Sequence, residues 1–157
     1  MHPNTQLLDK LFRGLNNHDH RAMAKCYHPE ATFHDIAFDL KGRRRIHAMW
    51  HMISTGDIRA TFEVIEAGDS EATVKVLDEY TFTDTRRAVR NPIESRFTFK
   101  DGLIIEQRDQ CDAKAWAAMA LGGLAGFLAG RIHLLRSRKA NQKLAAFIGK
   151  HPEYAGS

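Results

Sequence analysis

Residues 71–83, EATVKVLDEYTFT, and 103–112, LIIEQRDQCD, alternate with the period of a strand rather than that of a helix. Residues two apart on a strand share a sheet face. Val74, Val76, Tyr80 and Phe82 therefore take one side of the first stretch, and Asp78 stands among them. In the second, Leu103, Ile105, Gln107 and Cys111 share a side with Asp109, while Glu106, Arg108 and Gln110 face away. Outward from these, the period of two also runs through 58–67 and 87–100, where Ile93, Ser95, Phe97 and Phe99 share a face that carries no acid. Turn signals at Gly68-Asp69-Ser70, Asp84-Thr85 and Asp101-Gly102 separate the four strands.

Upstream the period is helical. Leu7, Leu8, Leu11, Phe12 and Leu15 predict an amphipathic first helix ending near Asn16-Asn17. Asp19 is an N-cap for a short second helix carrying Met23 and Tyr27 and stopped by Pro29. Residues 31–38 read as a strand with Ala31, Phe33 and Ala37 on the side of Asp35. Gly42 opens a third helix with Ile46, Met49, Trp50 and Ile53 on one face, closing at Gly56. Helices followed by an antiparallel meander predict an α+β domain over residues 1–113, and residues 114–157 read as a helical extension packed on or capping it. A chain of 157 residues fits one domain.

Three carboxylates, Asp35, Asp78 and Asp109, thus fall on faces that otherwise look buried. An unpaired buried carboxylate costs several kcal/mol or raises its pKa instead. If the three converge, they can divide acid and base roles among them. The plainer alternative is that each pairs with an arginine, caps a turn or sits at a mouth open to water.

The run Cys26-Tyr27-His28-Pro29-Glu30-Ala31-Thr32-Phe33-His34-Asp35, then Gly42 with Ile46 and Trp50, then Phe97 to Ile104, resembles the ketosteroid isomerase and SnoaL-like branches of the nuclear transport factor 2-like superfamily. The resemblance covers roughly residues 5–113. It implies a cone: a curved antiparallel sheet wrapped by N-terminal helices around an apolar pocket, often dimeric through the outer face of the sheet. It places Asp35 where the isomerases hold their general base, but their two oxyanion donors fall on Leu11 and Ser95. The closing Arg108-Asp109-Gln110-Cys111-Asp112 is similar to the limonene epoxide hydrolases. That likeness implies that Asp109 helps activate water and Asp78 protonates the epoxide oxygen. The arginine that links the two acids there is Val76 here, and the water-holding Tyr and Asn correspond to Phe33 and Asp35.

Other constellations are weaker. His47 and His51, four apart on the third helix, have a spacing that holds metals, but the buried side belongs to Ile46, Met49, Trp50 and Ile53, so both histidines are expected at the surface and no metal or other cofactor is expected. His18 and His20 read as solvated loop residues, and His34, of opposite parity to Asp35, is expected outside the pocket. Cys26 and Cys111 have no histidine placed to activate them and require no disulfide framework. No phosphate-cradling or dinucleotide fingerprint occurs. The formal charge of +4 comes largely from Arg43-Arg44-Arg45 and the tail from Arg131 to Lys150, without a nucleic-acid motif beside it, so no nucleic acid is expected as a partner.

Residues 115–130 carry no charge and place Ala118, Gly122, Gly126 and Gly130 four apart, and the stretch is short of the roughly 20 residues a membrane span needs. With Arg131, Arg136, Arg138, Lys139 and Lys143 beyond it, a membrane-surface contact is an alternative to a helical cap. No signal-peptide pattern opens the chain, and the cytoplasm is the default expectation.

The expected function is acid/base chemistry on an apolar small molecule, isomerase- or epoxide-hydrolase-like. Asp35, Asp78 and Asp109 are its catalytic candidates, and Phe12, Phe33, Trp50, Tyr80 and Phe97 are candidate pocket walls. The alternatives are a non-catalytic ligand-binding module of the same fold and an interaction or membrane-associated domain using the C-terminal helices. A homodimer is expected from the resemblance.

Overall fold

The computed structural model describes residues 1–123 and 129–156, with the side chains of 129–135 outside that description. The chain runs α1 (Pro3–Asn16), α2 (His20–Ala24), β1 (Tyr27–His34), β2 (Asp39–Lys41), α3 (Arg43–Ser54), β3 (Arg59–Ala67), β4 (Glu71–Thr81), β5 (Ala88–Lys100), β6 (Leu103–Cys111), α4 (Ala113–Leu121) and α5 (Ala129–Lys150), then one 3-10 turn at Pro152–Tyr154. The six strands form one curved, unclosed sheet in the order β2-β1-β6-β5-β4-β3. This is an α+β architecture, with the helices gathered against one face of the sheet.

The meander follows from its turns. Asp101 and Gly102 both adopt left-handed backbone, at φ 55 and φ 75, between the paired residues Lys100 and Leu103. Two such residues make a tight hairpin whose twist matches that of its strands. All neighbouring strands are antiparallel except β1 and β6, which run parallel with Phe33 opposite Gln107 and His34 opposite Arg108. The paired residues end there, one residue before Asp35 and Asp109, because Asp35 turns the chain toward Phe38.

The core lies between the inward face and the helices. Leu8, Leu11, Phe12 and Leu15 of α1 are buried with Val74, Phe97 and Ile104 of the sheet. Asn16 fastens the end of α1 to β3, its amide donating to Ala60 O at 2.9 Å and accepting from Ala60 N at 2.7 Å. Phe12 stacks on Phe62 with ring centroids 4.8 Å apart and meets Phe97 edge-on at 6.3 Å.

Several expectations need correction. The second helix ends at Ala24 rather than at Pro29, and Tyr27 opens β1 instead of ending a helix. Pairing of β1 along β6 and β2 outweighs the local helical spacing. The predicted strand 31–38 stops at His34, because Asp35 turns the chain into the three-residue β2. The alternation of 103–112 breaks near its start: a register shift between Thr98 and Phe99 opposite this end puts Ile104 fully in the core and leaves Leu103 and Ile105 only half-buried. An irregular rung reverses parity on one side of it. His20, His47 and His51 are half-buried rather than surface residues.

The C-terminal segment turns back onto the rest of the chain. Ser137 Oγ and Asn141 Nδ2 of α5 donate to Ala37 O at 3.0 and 3.2 Å, and Leu144 is fully buried. Gly126 of the predicted small-residue stripe lies outside the described residues. Among those described, no helix is long and apolar enough to cross a membrane.

Candidate active site

The site is built on β5. Its inward side chains Asn91, Ile93, Ser95, Phe97 and Phe99 alternate with outward ones. Asp78 of β4 pairs with Asn91 on one flank, and Asp109 of β6 pairs with Ser95 on the other. The third acid, Asp35, arrives at the end of β1 through the parallel register. No direct hydrogen bond joins any two of the three. They sense one another electrostatically. Asp35 raises the pKa of Asp78 and Asp109, and Asp109 also raises that of Asp78.

Their environments differ. Asp109 accepts from Gln107 Nε2 at 3.1 Å, and the Ser95 hydroxyl also favours its charged form. Burial outweighs both and pushes its pKa up to about 7. Asp78 has no such help: Oδ1 is buried with no hydrogen-bond donor, and burial followed by the charges of Asp109 and Asp35 pushes its pKa up to about 7. Asn91 Oδ1, on the rung opposite Asp78, is a second buried acceptor without a donor. Asp35 is tied down locally. Its Oδ1 accepts from Ala37 N at 2.7 Å and Phe38 N at 2.6 Å, a turn that a side-chain carboxylate stabilises. Burial raises its pKa against those two bonds and against the positive charge of Arg136.

Behind Asp109 runs a buried relay that sequence reasoning did not assemble. Trp50 Nε1 donates to Tyr27 Oη at 3.0 Å, and Tyr27 Oη donates to Gln107 Oε1. Because the Tyr27 proton occupies Oε1, the Gln107 amide must present its N–H₂ toward Asp109. Tyr27 is fully buried, and burial holds its hydroxyl well above the usual phenol range, so it stays a donor. Gln107 was visible as a polar residue on an apolar face; its partner Tyr27 lies 80 positions away in sequence.

Of the predicted wall residues, Phe12, Phe33, Trp50 and Phe97 are buried in the core, with Phe33 edge-on to Trp50 at 5.7 Å. Tyr80 is half-buried, and its hydroxyl accepts from Trp116 Nε1 of α4 at 2.7 Å. Trp116 belongs to a separate apolar cluster with Val89, Ala117 and Ala120. A surface groove between α1 and α2, lined by Leu7, Lys10, Ala22 and Cys26, involves none of the three acids. Among the described residues, no three His, Cys, Asp or Glu side chains are grouped as metal ligands.

Comparison with known proteins agrees with this architecture. A putative polyketide cyclase from Silicibacter sp. superposes with a TM-score of 0.65 at 19% identity, covering 74% of this chain and 93% of that one. An epoxide hydrolase from M. tuberculosis, of the limonene epoxide hydrolase-like type, superposes with a TM-score of 0.61 at 15% identity, covering 80% of this chain and 94% of that one. A ketosteroid isomerase-like protein from Catenulispora acidiphila, solved with trimethylamine, gives a TM-score of 0.64 at 13% identity, covering 73% and 91%. Identities this low speak to the fold. No curated protein matches the chain in sequence. Residues 8–107, most of the sheet and its helices, match the SnoaL-like domain, and the chain belongs to that family.

Proposed function

We propose that this protein is an acid/base enzyme acting on an apolar small molecule, of the isomerase, cyclase or epoxide hydrolase type. The observation that carries the reading is the pair Asp78 and Asp109, each with its pKa pushed up to about 7 on inward faces flanking one strand. Near neutral pH such a pair holds about one proton, so one member gives a proton while the other takes one. The hydrogen-bond partners support a division of roles. Asp109, with donors on its carboxylate, is the base; Asp78, whose anion has none, is the acid. With an epoxide, Asp109 would take a proton from water, the resulting hydroxide would open the ring, and Asp78 would give its proton to the leaving oxygen. Beside a carbonyl, Asp109 would remove the α-proton and Asp78 would protonate the developing enolate.

Support for an enclosing pocket comes from the acids themselves. Each is only half-buried by area, yet burial is the largest influence on its pKa. Both hold for a side chain lining an interior recess. Phe33 and Phe97, on strands β1 and β5, both lie opposite Gln107, and solved structures named as a putative polyketide cyclase and an epoxide hydrolase share the fold. Asp35, with one oxygen bound to the turn, remains an alternative base through its other oxygen.

The test is turnover of an apolar epoxide in ¹⁸O-water and of an apolar ketone in D₂O. Wild type is expected to put ¹⁸O into a diol or deuterium beside the carbonyl. Asp109→Asn should lose about 10²- to 10⁴-fold of that rate, the usual share of a general base. Binding of both compounds with no turnover, equal in wild type and Asp109→Asn, would leave a binding module instead.

A further inference from the structure

Arg136 reaches in from α5 toward the end of the sheet that holds Asp35. Its guanidinium carbon lies 3.5 Å from the centre of the Trp116 ring. Trp116 is itself oriented by its bond to Tyr80. Tyr80, Asp35 and Cys111 lie near enough to favour the positive charge that burial opposes. None of them pairs with it directly: Arg136 forms no ion pair with a described acid, and Nη1 is buried with no acceptor. Asp35, the nearest carboxylate among these neighbours, has Oδ1 committed to the backbone of Ala37 and Phe38. The neighbouring Ser137 and Asn141 fix this part of α5 to Ala37 O.

A buried charged donor left unpaired is costly, and arginine is seldom buried without a partner. Here the cation is stacked, anchored and left with an open hydrogen-bonding position. We propose that Arg136 is the seat for a ligand carboxylate, so that the site takes an apolar organic acid whose hydrocarbon body extends toward Asp78 and Asp109. The planar fork of a guanidinium matches a carboxylate. A neutral carbonyl would give the guanidinium no anionic hydrogen-bond partner. This inference rests on the acid/base reading of the same pocket and adds the substrate class to it.

The probes are 2-naphthoate and its neutral isostere 2-naphthamide, titrated into the full chain by calorimetry. Wild type is expected to bind the carboxylate at least about tenfold more tightly, equivalent to about 1.4 kcal/mol. Arg136→Gln should abolish that preference while binding the amide as wild type does, and Arg136→Lys should keep part of it. In wild type, naphthoate but not naphthamide should shift the Arg136 Nε–H NMR resonance, a readout that does not depend on the variants folding. Equal binding of the two probes by wild type, or a preference that survives Arg136→Gln, overturns the inference and leaves the pocket standing. If wild type binds neither probe, the pocket reading falls, and this inference with it.

Discussion

The proton affinities of single carboxyls make opposite demands on stability and on chemistry. Asp78 and Asp109 have folded pKa values near 7, above the unfolded value of about 3.9. The folded chain therefore takes up protons first, and the stability these groups contribute is present in acid and lost as pH rises through about 7. Asp78→Asn is expected to stabilise the protein at pH 8, by about 1–3 kcal/mol, and to change little at pH 4; urea denaturation at the two pH values measures it. The same substitution should abolish turnover, so that stability and activity move in opposite directions. Tyr27→Phe tests the relay behind Asp109. Losing the donor that orients Gln107 should cost about 1 kcal/mol of stability and shift the basic residue's pKa upward in the rate profile. The acids were legible in the sequence because a charge on an apolar parity stands out. The relay was not, since nothing local marks Tyr27 as the partner of Gln107.

Among the elements, α5 has no counterpart in the matched part of the family, which ends at residue 107. Its far end rests on a stack of imidazoles. His20 Nδ1 and His47 Nε2 lie 2.8 Å apart, His20 stacks on His51 with centroids 3.8 Å apart, and His51 Nδ1 meets Tyr154 Oη at 2.9 Å. Phe147 stacks on His151 at 3.9 Å. Burial, and then the neighbouring His20 and His51, push the His47 pKa down to about 4, with Arg21 and Arg43 adding to it. Asp19 and Glu153 pull the other way on His20. Here the unfolded chain takes protons first, so stability is present above about pH 6.5 and lost as pH falls toward 4. The loss between pH 7 and 5 is expected to be on the order of 1 kcal/mol after solvent screening, and His47→Gln should flatten it in thermal melts. Leu144→Ala, at a fully buried position of α5, should cost about 2–5 kcal/mol. The sequence placed the strands well because alternation is a local signal. It misplaced the histidines because the helix that covers them lies about a hundred residues downstream.

At the scale of the molecule, a curved sheet holds acids on two strands and in the turn after a third, far apart in sequence, and α5 adds a cation from outside that sheet. The order of elements could be read from period and turns. The parallel pairing of β1 with β6 could not, since no residue pattern specifies a neighbour 70 positions away, and that pairing carries His34 opposite Arg108, one residue before Asp35 and Asp109. The outer face carries Arg96 directly opposite Arg108, each balanced by a glutamate two residues away, at 2.9 and 3.1 Å. A carboxyl-carbon NMR titration of Asp78 and Asp109 reads the shared proton directly. At least one is expected to titrate near 7, and replacing either acid by asparagine should lower the pKa of the other. Both titrating below about 5, each indifferent to loss of the other, would contradict that expectation.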